Sequence, residues 1–266
     1  MKDRFFKMLN LGIKQFNDPY YQGFAGQIAF YFMLSIVPVV LLISQIAGYF
    51  LGTSLDEAMG WILENAHGTV GATLKRLLTY KSGGFSNVIY VIIAIWAGSR
   101  AQFSIMRINN FIFTEGQTTG RGYWRERFRA VVNLLVVMFT VIMALFVLIY
   151  GPRILDKFTE GADVWLWLRW PIALILFFIM IVFNYYFMPE TKVQLKNIVP
   201  GSLFASAGLL IVTAIYSKYT ASVAKYDIIY GSLATIVALL FWFYFLAWVI
   251  CLGILFNKVW MDTTDK

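Results

Sequence analysis

IYGSLATIVALLFWFYFLAWVICLGILF, from Ile229 to Phe256, runs for 28 residues without one charged side chain. A helix of about 20 apolar residues crosses the ~30 Å hydrocarbon core of a bilayer. A helix that is apolar on every face has no side to offer to water. The rest of the 266-residue chain has the same bias: 60% of residues are apolar and 14% are charged. A soluble domain carries roughly 45–50% apolar and 25% charged residues. With mean hydropathy at +0.70, there is too little polar surface to clothe a water-soluble body. The composition predicts an all-α polytopic membrane protein.

Working outward from that stretch, five more segments are long and apolar enough to span. They lie near Gln27–Phe50, Phe85–Arg107, Ala130–Tyr150, Trp165–Met188 and Ile198–Thr220. The first is too long, and starts too late, for a secretory signal. With the N-terminus inside, the cytoplasmic side collects 14 of the 22 Lys and Arg residues, while the 14 acidic residues divide evenly. The inner side then nets +7 and the outer side +1. Basic excess marks cytoplasmic loops, so six spans with both termini inside are expected. The formal charge of +8 then reflects anionic inner-leaflet lipid, and nucleic acid is not an expected partner. Trp165, Trp167 and Trp170 at one boundary, with Trp124 and Trp260 at others, fit an aromatic belt.

The chain reads as a single membrane domain over 1–266 with two amphipathic additions. Residues 1–26 form a basic cytoplasmic segment in which Phe5, Phe6, Leu9, Ile13 and Phe16 share helical spacing. Residues 51–84 read as an outer-side helical hairpin. One apolar stripe carries Leu55, Met59 and Ile62, and a second, after His67-Gly68, carries Val70, Leu74 and Leu77.

Cys251 and His67 are the sole members of their kinds, so disulfides, thiolate metal sites and paired-histidine zinc sites are excluded. The outer acidic residues are scattered, and no Gly-Lys-Ser phosphate loop is present. No catalytic residue, metal ligand or self-powered nucleotide hydrolysis is expected. The chain is read as a non-enzyme.

Arg100 is the informative residue. Counted from Phe85, it lies ~22 Å into the second span, still in hydrocarbon. An arginine there costs at least ~2.5–3.5 kcal/mol unless it snorkels or is paired. Arg107 follows seven residues later on the same face, with Ser104 and Trp96 beside them. Two guanidiniums at that spacing can hold a phosphate or carboxylate. Alternatively, Arg107 snorkels to the cytoplasm and Arg100 bonds carbonyls at the broken end of a neighbouring helix. Pro38 breaks the first span's hydrogen-bond ladder, where Ser35 can bond a freed carbonyl. Asn133 and Asn184 must face other helices or water, as interhelical glue or as substrate contacts. Span five has a small-residue face of Gly201, Ala205 and Gly208, suited to packing within the bundle or across a homo-oligomer. Pro200 suggests a sharp helix start.

Four ordered segments resemble the YihY/virulence factor BrkB family of bacterial inner-membrane proteins, also labelled the ribonuclease BN family. They are AFYFMLSIVP (Ala29–Pro38), WAGSR (Trp96–Arg100) running on through Arg107 to Asn109-Asn110, the Tyr186/Pro189/Lys192-Val193 run leading to Pro200-Gly201, and YGSL (Tyr230–Leu233, with Gly231) ending in Leu252-Gly253 and Asn257. The resemblance implies six transmembrane helices, no cofactor, and residence in a bacterial plasma membrane. Members commonly carry an acidic residue two before the final asparagine, where this chain has Leu255. The parts expected for cutting RNA, a metal-ligand cluster and a base-stacking groove, are missing from the pattern. The expected function is a permease-like or lipid-handling protein. An anionic solute or lipid headgroup would meet Arg100, Arg107 and Ser104, with Ser35 and Asn184 lining its path. The alternative is a non-transporting envelope scaffold.

Overall fold

In the computed structural model, the residues described are 6, 10, 13, 17, 23–36, 38–39, 85–116, 122–155, 162–187, 193–223 and 232–264. They form six helices: α1 (Gly23–Ile36), α2 (Phe85–Phe113), α3 (Tyr123–Leu155), α4 (Ala162–Phe187), α5 (Leu195–Val223) and α6 (Ser232–Thr264). Four of these, α3 to α6, contain stretches long and apolar enough to cross a membrane. α2 has 29 residues, roughly 43 Å of helix, but breaks its apolar run with Gln102, Arg100 and Arg107. The helical part of α1 is a shorter apolar segment. The outer-side hairpin at 51–84, Gly231, most of the 1–26 segment and the end of the first span fall outside the described residues. Phe6, Asn10 and Ile13 of the N-terminal segment are helical, with Phe6 and Ile13 exposed.

The helices outrun their apolar stretches. α2 continues past Arg107 to Phe113, and α3 begins at Tyr123 rather than Ala130. Arg125, Arg127 and Arg129, expected in a cytoplasmic loop, are therefore helical. α6 runs beyond Phe256 to Thr264 and carries Asn257, Lys258 and Asp262 within the helix. Hydropathy marks where lipid would be, whereas helix length follows the backbone hydrogen-bond ladder, which charged residues do not interrupt. Pro200, expected at a helix start, sits inside α5, five residues after Leu195. At that position it removes one bond of the ladder, to the Lys196 carbonyl, and the helix continues past it.

The connection from α2 to α3 is set by backbone geometry. The Gly116 N–H bonds the Phe111 carbonyl at 3.0 Å, closing α2 in the manner of a Schellman cap. Glu115 (φ 53°) and Gly116 (φ 85°) hold the left-handed conformations that cap requires. At the other end, Gly122 (φ 105°) presents its carbonyl to the N–H groups of Arg125 and Glu126. Glu115 also reaches Lys258 of α6, whose ammonium bonds Glu115 at 3.2 Å and Asp262 at 3.0 Å. The end of α2 is thereby tied to α6.

Neighbouring helices pack in sequence, and α6 returns to α2, closing a ring. α1 enters the main core through Ala25, Ile28 and Ala29, which join Ile105, Ile108 and Ile112 of α2 and Ile254 of α6. The outside of the ring is apolar, with Phe139, Ile175, Ile211 and Phe241 all more than half exposed. In water such a surface would aggregate; against lipid tails it is neutral.

The tightest contact joins α5 and α6. A Cβ on Gly201 would run into the Gly253 carbonyl oxygen and the Asn257 side chain. The Gly201 N–H, just past Pro200, donates to Asn257 Oδ1 at 2.7 Å. One turn up, Ala205 lies against Gly253, and Gly208 accommodates Val249. Tyr185 of α4 reaches the same region, its hydroxyl donating to the Ile250 carbonyl at 2.7 Å. The small-residue face of span five is thus filled by α6 of the same chain.

A substitution series tests this contact. Gly201→Ala is expected to destabilise the solubilised protein by about 1–3 kcal/mol, because the obstructing atoms are backbone and a bonded amide. Gly26→Ala on α1, where no atom of the described residues lies within 4 Å of the added Cβ, should be neutral or slightly stabilising. Thermal melts of both variants in one detergent give the comparison.

Candidate functional site

One stripe of α2 carries Trp96, Arg100, Phe103 and Arg107 at intervals of four, three and four residues, so all four share a helix face. The structure adds Tyr31 from α1 and Arg127 from α3. The Arg100 guanidinium lies 4.7 Å from the centre of the Trp96 ring and 5.9 Å from that of Tyr31. Arg127 lies 5.5 Å from Trp96 and 5.7 Å from Phe103. Arg107 lies 4.7 Å from Phe103. Rings and cations thus alternate as Tyr31, Arg100, Trp96, Arg127, Phe103, Arg107. Each cation–ring contact contributes about 0.5–1 kcal/mol where exposed and ~2 kcal/mol when desolvated.

The ladder is short of negative charge. Among the described residues Glu126 is the one carboxylate that reaches it, 3.5 Å from Arg107 Nη2. At that distance the contact is an ion pair rather than a hydrogen bond, and Glu126 Oε2 has no hydrogen-bond partner. Arg127 is buried, with 8% of its surface exposed. Its Nη2 donates to the Trp96 carbonyl at 2.9 Å, while Nη1 is buried without a partner. The same carbonyl also accepts from Ser99 Oγ at 3.0 Å. Among the described residues three guanidiniums stand against one carboxylate, which pairs with Arg107, a surplus of two positive charges. A buried cation without a paired anion is among the least favourable arrangements a protein can hold.

The sequence-expected residues divide between two places. Arg100 and Arg107 stand in the ladder, and Ser104, one turn from each along α2, is buried with its hydroxyl unpartnered. The carbonyl at Trp96 is bonded by Arg127, whereas Arg100 stacks on rings. Ser35 donates to the Phe32 carbonyl at 3.1 Å. The carbonyl freed by Pro38 belongs to Leu34, so Ser35 does not serve the break as expected; its hydroxyl bonds a carbonyl two residues further back.

Asn184 belongs to a separate polar cluster on the inner face of α2. Asn133 Nδ2 donates to both Gln102 Oε1 and Asn184 Oδ1, each at 2.5 Å, and Asn184 Nδ2 donates to the Met180 carbonyl at 2.9 Å. This ties α2, α3 and α4 together. Asn109, one heptad below Gln102, is wholly buried with both amide atoms unpartnered. A cavity of about 350 Å3 between α5 and α6, lined by Val212, Tyr216, Phe241 and Trp242 among others, includes none of these residues. His67 lies outside the described residues, and among those described no group of three or more His, Cys, Asp or Glu residues could hold a metal ion.

Sequence reasoning missed Arg127, Glu126 and Tyr31 as parts of the site. Arg127 precedes the apolar run Ala130–Tyr150, which by itself points to a cytoplasmic loop. Its spacing from Val131 and Leu134, on one helical face, is the signal that could have placed it inward.

Asn133→Leu should cost about 1–2 kcal/mol, since it strands the acceptors of Gln102 and Asn184 together. Thr140→Val on the same helix removes only a local bond to the Val136 carbonyl and should change stability little. Chemical unfolding in mixed micelles reads the difference.

Comparison with known proteins places this geometry in a family. The ribonuclease-like protein YfkH of Bacillus subtilis (strain 168) is 27% identical over 243 residues, 87% of each chain. The UPF0761 membrane protein VP0125 of Vibrio parahaemolyticus is 25% identical over 244 residues, 86% of this chain and 73% of that one. A UPF0761 membrane protein of Albidiferax ferrireducens is 38% identical over 68 residues, covering 26% of this chain and 16% of that one. No solved structure matches. The Virulence factor BrkB family matches residues 13–265, and this chain therefore belongs to that family of membrane proteins.

Proposed function

We propose that the protein is a six-span permease-like or lipid-handling protein of the bacterial plasma membrane. Both termini face the cytoplasm, and the arginine ladder holds the anionic part of its substrate. The observation that carries this is the charge imbalance: Arg100, Arg107 and Arg127 against Glu126, with an Arg127 nitrogen left buried and unbonded. Stacking on Trp96, Tyr31 and Phe103 holds the guanidiniums in place without consuming their charge, as carboxylate partners would. A phosphate or carboxylate arriving at Arg100 or Arg107 would find donors already oriented and a field reinforced by Arg127, which stands between them in the ladder. The orientation rests on the Lys and Arg excess of the inner loops. No catalytic step is assigned; the ribonuclease-like name belongs to the Bacillus subtilis relative.

Native mass spectrometry of gently solubilised protein tests the anion site. Wild type is expected to retain an anionic lipid or small anion that the folded Arg100→Ala/Arg107→Ala variant has lost. Identical loosely held lipid on both proteins would sink the reading. A second variant separates binding from folding. Arg127→Met removes an unpaired buried charge, so in anion-free detergent the melting temperature should rise by about 2–4 °C. Retention of the anion should weaken at the same time. A structural ladder would instead lose stability on that change.

A further inference from the structure

We infer that the ladder takes a net-anionic, phosphate-bearing membrane amphiphile, entering sideways from the bilayer, rather than an anion from solution. This rests on the anion-site reading above and narrows it to one substrate class. The first ground is where the ladder opens. The Arg107 side chain is 60% exposed, and Trp96, with half its surface exposed, also lies on the perimeter of the ring. The opposite side of α2 is closed, because Ile105, Ile108 and Ile112 are sealed into the main core. Gln102 is meanwhile held by Asn133. An anion therefore reaches the guanidiniums from the outer wall of the bundle.

The second ground is what that wall is made of. Beside the ladder stand Ile92 and Ile93 on α2 and Trp124 and Phe128 on α3, exposed by 61%, 50%, 82% and 70%. These surfaces suit acyl chains and the ring-rich headgroup boundary. A small hydrated anion would have to shed its water to cross them, which is strongly unfavourable. A lipid phosphate already lies at the boundary, and its chains match the apolar flank while its oxygens meet Arg100 and Arg107. Charge complementarity and apolar complementarity thus converge on one molecule.

The test uses the intact protein in neutral-lipid nanodiscs, doped with either brominated phosphatidylglycerol or brominated phosphatidylcholine. Bromine quenches tryptophan on contact, and the Trp96 contribution is the difference between wild type and Trp96→Phe. The anionic lipid is expected to quench that component at about tenfold lower mole fraction than the zwitterionic one. Excess inorganic phosphate should not displace it, and Arg100→Gln/Arg107→Gln should bring the two lipids to equal potency. Displacement by phosphate, without preference between the lipids, would overturn lateral lipid entry and leave the anion site standing. Equal quenching by both lipids with no phosphate effect would overturn the anion site as well.

Discussion

The contact between Gly201 and Gly253 is the constraint on which the bundle depends. Two helix backbones approach until a single methyl group would collide with a carbonyl oxygen, and Asn257 locks the approach through the Gly201 N–H. In lipid there is no hydrophobic gain from pressing two apolar helices together, so close backbone packing and interhelical hydrogen bonds carry the association. Tyr185 brings α4 to the same point, and Lys258, on the next residue of α6, reaches the end of α2. Closure of the ring therefore follows from one tight crossing and the polar side chains gathered around it.

Around that crossing Asn257 Nδ2 is left without a partner, and the α2–α3 side carries more such atoms. Asn133 Nδ2 serves both Gln102 and Asn184, but Asn133 Oδ1 and atoms of Arg127, Ser104 and Asn109 are buried and unanswered. Unmet groups in the interior of a fold lower its stability and survive where function requires them. The ladder's arginines are held by ring faces, an interaction that fixes position while preserving charge. Unpartnered cationic groups are thus found in the α2–α3 side of the bundle, at Arg127.

Much of the fold was legible in composition and hydropathy. The uncharged run from Ile229 to Phe256 and its weaker counterparts located all six helices within a few residues at most ends. The errors have one cause: apolar runs end where lipid is expected to end, whereas α2, α3 and α6 continue through charged residues to Phe113, back to Tyr123 and on to Thr264. Pro200 misled because a proline in the second turn removes one hydrogen bond without ending the helix. The small-residue pattern at Gly201, Ala205 and Gly208 signalled close packing, yet pattern cannot say against which helix.

The site divides in the same way. Periodicity put Arg100, Arg107 and Trp96 on one face of α2, because a helix has a known repeat and an arginine in hydrocarbon demands a reason. Nothing along the chain joins that face to Tyr31, 65 residues before Trp96, or to Arg127, 31 residues after it. Nor does it separate Asn184 from the arginines. Local sequence governs what one helix presents on each side; the neighbour that meets each side is decided by how helices pack, through contacts between residues far apart in the chain. The apolar helices and their lipid-compatible composition were therefore properties of the sequence, while the alternation of three cations with three rings, and the shortage of carboxylate around them among the described residues, came into being only when α1, α2 and α3 packed together.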